Sequence, residues 1–276
     1  MKKRLTIAIF CFCVLQANAK KNETTFINYK LVSELSLLNM PSKYPSINDT
    51  IKINHSDLIS KEIVLGKSTY IMYGKNDKNS NGLNLTLVEI NVEKHTFQNN
   101  SGYKITQKWS EKDTLIHTSE SILSQKDLKS LYHKSWWKRS GQTIEINFLN
   151  KESKITGGEE SFNKKSHEGL LIALTENTFL NWHCDLVLFG LLPFKEEALF
   201  QINLYNPGFG IPSDQFYKVI GSEKVEGVDC WVLNFELPKN MGYQRFWISK
   251  SHRIIIKEED IFNGNHRYKL KTATVE

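Results

Sequence analysis

The stretch from Ile254 to Thr274 reads IIIKEEDIFNGNHRYKLKTAT, and it decides the fold class. Its centre is Asn263-Gly264, the preferred dipeptide of a two-residue type I′ turn between antiparallel strands. The residues on either side are therefore predicted to form a β-hairpin. The second strand has two distinct faces, with Tyr268 and Leu270 on one and Arg267, Lys269 and Lys271 on the other.

Upstream of this hairpin, the run from Val228 to Leu237 is apolar on both faces for most of its length. Cys230 and Val232 lie on one side, and Trp231, Leu233 and Phe235 on the other. A strand that is apolar on both sides is typical of the interior of a covered sheet. We therefore predict a central strand here.

Shorter runs extend the β pattern toward the N-terminus. Residues 103–109 and 144–148 alternate apolar and polar side chains with a period of two, which indicates strands with one buried face. At Leu87 and Val88 the apolar phase shifts, which predicts a β-bulge. About ten strands are expected, and their spacing suits hairpins in a mainly β, largely antiparallel fold.

One segment interrupts the strands. Trp182, Leu186 and Phe189 fall at i, i+4 and i+7, the spacing of one helical face. Asn181 is a candidate N-cap, and Gly190 and Pro193 mark the expected end. The sequence thus predicts a helix across the sheet, too short and too polar to span a bilayer.

This helix carries the most informative apolar cluster, which includes Trp182, Leu186, Phe189 and Leu192. Two interpretations remain open. The helix either caps an ordinary sheet core or covers an apolar pocket suited to an acyl chain. We take these four residues as the candidate ligand-binding lining.

The first nineteen residues have the layout of a secretory signal peptide. Met1-Lys2-Lys3-Arg4 is basic, Leu5 to Leu15 is apolar, and Ala17-Asn18-Ala19 is a small-residue cleavage signal. Phe10 and Phe12 precede Cys11 and Cys13, so neither cysteine sits in a lipoprotein cleavage box. We expect a periplasmic or secreted protein that begins near Lys20, with no transmembrane segment after cleavage.

Charge and cysteine content narrow the function classes further. The signal peptide holds three of the 36 basic residues and none of the 30 acidic ones, which leaves a formal charge of +3. Because basic and acidic residues are nearly equal in number, the sequence predicts no basic surface for binding nucleic acid. Cys184 and Cys230 remain after cleavage, and they form either a disulfide or two buried thiols.

No catalytic motif stands out. The sequence lacks a Gly-X-Ser-X-Gly elbow, a phosphate-binding glycine loop and a His-Glu-X-X-His zinc motif. We predict no catalytic residues, no metal and no cofactor. The pairs Glu196-Glu197 and Glu258-Glu259 are interpreted as solvated charges. Trp136-Trp137 either grips a glycan or lipid headgroup, or places one ring inward and one over the surface.

The chain resembles a family of uncharacterised periplasmic proteins related to the LolA/LolB-like lipoprotein carriers. The resemblance spans roughly residues 68–276 and rests on four short runs, which are 227–233, 246–250, Arg253 with Lys257-Glu258, and Leu191-Leu192-Pro193-Phe194.

This resemblance implies an unclosed antiparallel half-barrel with one or two helices on its concave face. With the signal peptide (1–19) and the polar lead-in that follows it (20–67), the predicted domain organisation is completed by a β domain (68–276). The resemblance also implies a non-enzymatic, monomeric protein that binds a lipid, a lipoprotein or another hydrophobic ligand in envelope maintenance. The alternative is a structural or interaction module of the envelope.

Overall fold

The computed structural model describes residues 50–176, 178–237 and 240–272. The predicted signal peptide and a short helix expected around Tyr29 to Leu38 lie outside these ranges. Within them, one continuous sheet of fifteen strands runs from Thr50–Lys52 (β1) at one edge to Glu152–Thr156 (β8) at the other and does not close on itself. The predicted fold class, an open and largely antiparallel half-barrel with helices, is confirmed.

Two antiparallel meanders build this sheet. The first contains β2 Gly66–Lys75, β3 Leu83–Phe97, β4 Asn100–Glu111, β5 Thr114–Ser124, β6 Ser130–Trp137, β7 Gln142–Asn147 and β8 Glu152–Thr156. The second contains β10 Leu199–Asn206, β11 Phe209–Val225, β12 Val228–Glu236, β13 Gly242–Ser249, β14 Ile255–Phe262 and β15 Asn265–Lys271. Between the meanders lie α1 Glu160–Ala173, β9 Phe179–Leu180 and α2 Asp185–Leu188.

The two meanders join along a seam in which β15 pairs antiparallel with β2, for example Tyr268 with Tyr73. At the other end of the second meander, β1 (Thr50–Lys52) and β9 pair parallel with β10. The described part of the expected lead-in thus contributes to the sheet. Its Ile53 is buried, and the Ile53 amide donates to the Gln201 carbonyl at 2.9 Å.

The predicted hairpin at Asn263-Gly264 is confirmed. Phe262 pairs with Asn265, and the two turn residues have φ values of 48° and 80°. Both angles are the left-handed values that a type I′ turn requires, and Asn and Gly tolerate them best.

The predicted central strand is also confirmed as β12, which lies between β11 and β13. Its two faces enter different clusters. Leu233 and Phe235 join the main core on the concave side, whereas Cys230 and Val232 pack with Trp247 in a small cluster on the convex side.

The bulge predicted at Leu87 and Val88 is wrong. β3 keeps a regular register with both neighbours from residue 87 to 92, and residues 86, 88, 90 and 92 are all buried. Leu85 and Leu87 face solvent, with Leu85 64% exposed. The irregularity of β3 lies earlier in the strand, where the register with β2 shifts between the pairs Met72–Thr86 and Gly74–Leu83 and β3 has one extra residue.

The predicted helix begins three residues later than expected, with Cys184 and not Asn181 at the N-cap position. Trp182 has a φ of 56°, which turns the chain, and the Asn181 amide donates to the Tyr205 carbonyl instead of opening a helix. The helix therefore starts at α2 and continues as one 3-10 turn, Phe189–Leu191, which ends before Pro193 as predicted. We call residues 181–194 the strap.

Candidate functional site

The strap lies on the concave side of the sheet and fills it. Leu186, Phe189 and Leu192 of the predicted lining are buried in the main core, and Trp182 is half-buried. The Phe189 ring lies 4.9 Å from the ring of Tyr217 and 5.1 Å from that of Phe246. The structure therefore brings these residues to one interior, where they act as packing in this conformation.

A narrow cavity remains beside the strap, with room for about one water molecule, about 10 Å³. Its wall is mostly apolar and consists of Ile53, Leu58, Phe179, Leu180, Asp185, Leu188, Phe189, Leu192, Ile202 and Leu204. Residues of the strap and of β9 and β10 thus line a small gap in the packing.

Gln107 of β4 holds the N-terminal part of the strap. Its Nε2 donates to the carbonyls of Trp182 and His183 at 3.0 and 3.1 Å, and its Oε1 accepts from Trp109 Nε1 at 2.9 Å. Because Gln107 is almost fully buried, these bonds are shielded from water. The side chain acts as a latch between the sheet and the strap.

Replacing Gln107 with leucine is expected to loosen this end of the strap. Two buried carbonyls and the Trp109 N–H lose their partner, which costs about 1–3 kcal/mol for each group left unsatisfied. Hydrogen–deuterium exchange at amides of residues 181–188 should accelerate at least about tenfold, a change of about 1.4 kcal/mol in opening. Unchanged exchange in the strap would show that Gln107 is not a latch. Thr106→Val, on the opposite face of β4, is the control.

Beneath the strap, β5 and β6 present a polar array. Three cross-strand pairs face the concave side in succession, and they are His117 with Trp137, Ser119 with Ser135, and Ser121 with His133. The aromatic partners are tightly packed, since the His117 and Trp137 rings stack at 3.8 Å. We call these six residues, together with His183 of the strap, the polar array.

His183 covers the centre of the polar array. Its ring lies 5.2 Å from that of His117 and 4.5 Å from that of His133, which are at opposite corners. The ring is thereby placed over the Ser119–Ser135 pair. The Oγ atoms of both serines, Nε2 of His133 and both ring nitrogens of His183 are buried without a hydrogen-bond partner of ordinary geometry.

Burial keeps the three histidines neutral. Desolvation lowers the pKa of His117 to about 4 and that of His133 to about 3. It also lowers the pKa of His183 well below the ordinary value, with help from the other two imidazoles, while the Asn181 carbonyl opposes the shift. His117 Nδ1 lies 2.8 Å from the Trp136 carbonyl, which can only accept, so this nitrogen carries the proton.

Ser121 and His133 have the spacing of a nucleophile and its base, with Ser121 Oγ 2.9 Å from His133 Nδ1. Both side chains are completely buried, at 0% exposure. A substrate would have to displace the strap to reach them. We therefore interpret this hydrogen bond as part of the packed interior.

A buried ionic network lies on β14 and β15. Glu258 pairs with Lys269 and Arg267, and Arg267 also pairs with Asp260. Gln244 Nε2 adds a hydrogen bond to Glu258 at 3.2 Å. The prediction that Glu258 is a solvated charge is wrong, because it is 1% exposed and directed inward; Glu196 and Glu197 are exposed as expected.

Three buried carboxyl groups share two cations in this region. Asp185, at the start of α2, is the third carboxyl, and its pKa responds to Lys269, Glu258 and Arg267. Burial and the charge of Glu258 raise the pKa of both Asp185 and Asp260, whereas the two cations hold the pKa of Glu258 low. The network therefore retains a proton more readily than solvated carboxylates do.

The two described cysteines are free. Cys184 is in the main core on the concave side, and Cys230 is in the small convex cluster. Because the sheet separates them, the structure has the buried-thiol alternative rather than the disulfide. Burial raises the pKa of Cys184 to about 12, so it is a protonated thiol.

Sequence reasoning missed the polar array and the ionic network. A signal for the network was present, because a two-residue turn at Asn263-Gly264 places Glu258 opposite Lys269 and Asp260 opposite Arg267. For the array the signal was a run of small polar residues at alternate positions, Ser119, Ser121 and Ser135, where apolar residues are usual.

The described residues contain neither a metal-binding cluster nor a membrane-spanning helix. No three His, Cys, Asp or Glu side chains among them are arranged to share a metal ion. None of the helices in residues 50–176, 178–237 and 240–272 is both long and apolar enough to cross a membrane.

Solved structures with a similar fold are distant in sequence. A beta-barrel-like protein of the DUF1849 domain from Brucella abortus is 7% identical over 76% of this chain and 97% of its own, with a TM-score of 0.38. A putative lipoprotein from Parabacteroides distasonis is 12% identical over 75% and 94%, with a TM-score of 0.31. A putative outer membrane lipoprotein-sorting protein domain from Vibrio parahaemolyticus is 13% identical over 75% and 84%, with a TM-score of 0.27.

Among curated proteins, none has a matching sequence. A family model, in contrast, matches residues 69–271, which is most of the described sheet, and it is described as "Protein of unknown function (DUF3108)". The prediction of an uncharacterised family is confirmed, and the chain belongs to the DUF3108 family.

Proposed function

We propose that the protein binds a hydrophobic or lipidic ligand in the concave interior beneath the strap, without catalysing a reaction. The observation that carries this proposal is the strap itself. An open sheet holds on its concave face a short, mostly apolar segment that is latched by side-chain hydrogen bonds and has a narrow cavity beside it.

Binding requires the strap to move. A cavity of about 10 Å³ cannot hold an acyl chain, because ligand sites usually measure about 300–1,000 Å³. An apolar chain that takes the place of Leu188, Phe189 and Leu192 keeps the sheet's apolar surface out of water. Replacing the strap with the ligand therefore changes the hydrophobic free energy little. The main cost of opening is the loss of the hydrogen bonds that Gln107 makes to the strap.

The proposed location is the periplasm, or the exterior, after cleavage near Ala19. The sequence of the first nineteen residues supports export. A carrier or accessory protein of envelope maintenance is the role that fits an exported ligand-binding protein without a membrane-spanning helix among its described residues.

A cavity-enlarging variant tests the proposal. The full chain is expressed with its leader and analysed by native mass spectrometry and lipid extraction. Leu192→Ala, at the cavity wall, is expected to increase the fraction of chains that carry an amphiphile, because it opens space next to the strap. Leu123→Ala is a matched control, since Leu123 is equally buried but does not line the cavity.

The two variants should lose similar stability, about 2–5 kcal/mol. If neither the natural protein nor Leu192→Ala carries or takes up an amphiphile, the concave interior is a core and the proposed function is wrong.

A second candidate is an interaction module, which the filled interior favours. Among the described strands, β8 pairs only with β7, and its other edge has no described strand beside it, which suits strand addition. Ile155→Pro should then abolish partner capture while leaving amphiphile binding intact. Charged Glu152 and Lys154 lie within this short strand, a composition that natural edges use to resist pairing. For that reason we place this candidate second.

A further inference from the structure

The polar array has the hydrogen-bonding character of a binding site for a small polar head. Two serine hydroxyls, one nitrogen of His133 and both nitrogens of His183 are buried without a hydrogen-bond partner of ordinary geometry, although the Asn181 carbonyl interacts with the His183 ring. Buried polar groups are normally paired, and a concentration of exceptions in one place needs an explanation. All of these atoms lie within one patch of two neighbouring strands and the strap residue above it.

The array offers both donors and acceptors and no fixed charge. Each serine hydroxyl can donate and accept, and a neutral imidazole has one N–H and one lone pair. The charges that act on His183 from the described residues are those of His117 and His133, and both rings are neutral near pH 7. A permanently charged head group would be buried there without a counter-ion, at a high cost.

The groups around His183 can be named element by element. β5 presents His117 and β6 presents His133, while β4 presents uncharged Gln107 and Trp109. The strap adds Cys184 and Asp185. Lys269 lies 5.7 Å from the Trp109 ring and is paired with Glu258. The charge of this lysine is therefore already balanced by a carboxylate.

We propose that the polar array binds the carboxyl group of a fatty acid, whose chain runs along the path of the strap, and that one proton is taken up with it. This inference rests on the proposed function, because the chain needs the concave interior. The carboxyl group, when protonated, has one O–H donor and one carbonyl acceptor, the same mixture that the array offers.

The charge balance is simple. The fatty acid arrives from neutral solution as a carboxylate with one negative charge. One proton from solvent binds either to a carboxylate oxygen or to the His183 ring, and no covalent bond to carbon forms or breaks. Either form is neutral overall, which a buried site without a fixed counter-ion requires. A phosphodiester oxygen does not take up a proton near pH 7, so such a head could be neutralised only by protonation of the His183 ring.

Isothermal titration calorimetry with dodecanoate tests the inference, using the full chain after leader cleavage at pH 7. Titrations in two buffers with different ionisation enthalpies should report uptake of about one proton per ligand. Dodecanoate should bind more tightly than methyl dodecanoate and lysophosphatidylcholine, and much more tightly than acetate, which has the head without the chain.

The double variant Ser119→Ala/Ser135→Ala removes two hydroxyls from the centre of the array. It should fold normally because neither hydroxyl has a partner to lose. We expect its affinity for dodecanoate to fall about tenfold, while its affinity for methyl dodecanoate changes less than about threefold. Thr118→Val, on the opposite face of β5, should change neither.

The outcomes separate the two proposals. If dodecanoate and its methyl ester bind equally, or if no proton is taken up, this inference is overturned and the proposed function stands. If none of the three amphiphiles binds, the proposed function itself fails. If acetate binds as tightly as dodecanoate, the site takes small carboxylates and the inference is overturned. Stabilisation by Zn²⁺ that His183→Gln abolishes would overturn it in favour of a metal site.

Discussion

Replacing Lys269 with methionine is expected to lower the free energy of unfolding by about 3–5 kcal/mol. Lys269 is 4% exposed and its ammonium group contacts Glu258, which is itself 1% exposed. Methionine preserves most of the side-chain volume but leaves a buried carboxylate short of one cation. The Arg267 guanidinium remains, but it already pairs with Asp260. Urea unfolding followed by tryptophan fluorescence measures the loss.

Two further variants show whether the loss comes from the unpaired charge. Lys257→Met makes the same change in an ion pair on the convex face, where Lys257 contacts Glu259 at 2.9 Å with both side chains partly exposed. We expect about 0–1 kcal/mol there. The double variant Lys269→Met/Glu258→Gln should recover part of the lost stability. A Lys269→Met variant as stable as Lys257→Met would refute this account of the network.

Acidification is expected to destabilise the protein through the polar array, and His117 gives the clearest case. Its pKa is about 4 in the folded protein, against about 6.5 for an unfolded histidine. Below pH 6.5 the unfolded chain takes up a proton at this position and the folded chain does not. Stability therefore falls by about 1.4 kcal/mol per pH unit until pH 4, about 3 kcal/mol in total.

The carboxyl groups of Asp185 and Asp260 act in the opposite direction. Their pKa values are raised by burial and by Glu258, so the folded chain binds their protons first and gains stability as the pH falls. For this reason the test compares two proteins. The difference in unfolding free energy between the natural protein and His117→Gln should change by about 3 kcal/mol from pH 7 to pH 4. A constant difference would show that His117 is protonated as readily in the folded state as in the unfolded state. For the control Thr118→Val, the difference from the natural protein should not change with pH.

Sequence patterns correctly predicted the elements whose conformation is set by residues close to them along the chain. The Asn263-Gly264 hairpin follows from turn chemistry, and β12 follows from an uninterrupted apolar run. The helix start at Asn181 failed because the left-handed backbone at Trp182 is imposed by pairing of residues 179–181 with β10, which is not a local property.

The sequence did not indicate which of the two faces of each strand is buried. Alternation on β15 shows that Arg267 and Lys269 share a face, but a period of two does not say which face is inward. The charged face is the buried one here because β14 supplies Glu258 and Asp260 at matching positions. The polar array depends on a strap about 60 residues away from β5 along the chain, and that contact has no local signature.

The seam between β15 and β2 also governs when the molecule can finish folding. It pairs residues 266–271 with residues 70–75, so it is among the most sequence-distant pairings in the chain. Each meander can form from nearby hairpins, but contacts of this span form slowly. The ionic network shares the last two strands, and its four charges lie between residues 258 and 269. Because synthesis runs from the N-terminus, the buried charges of β14 cannot be paired before β15 has been made.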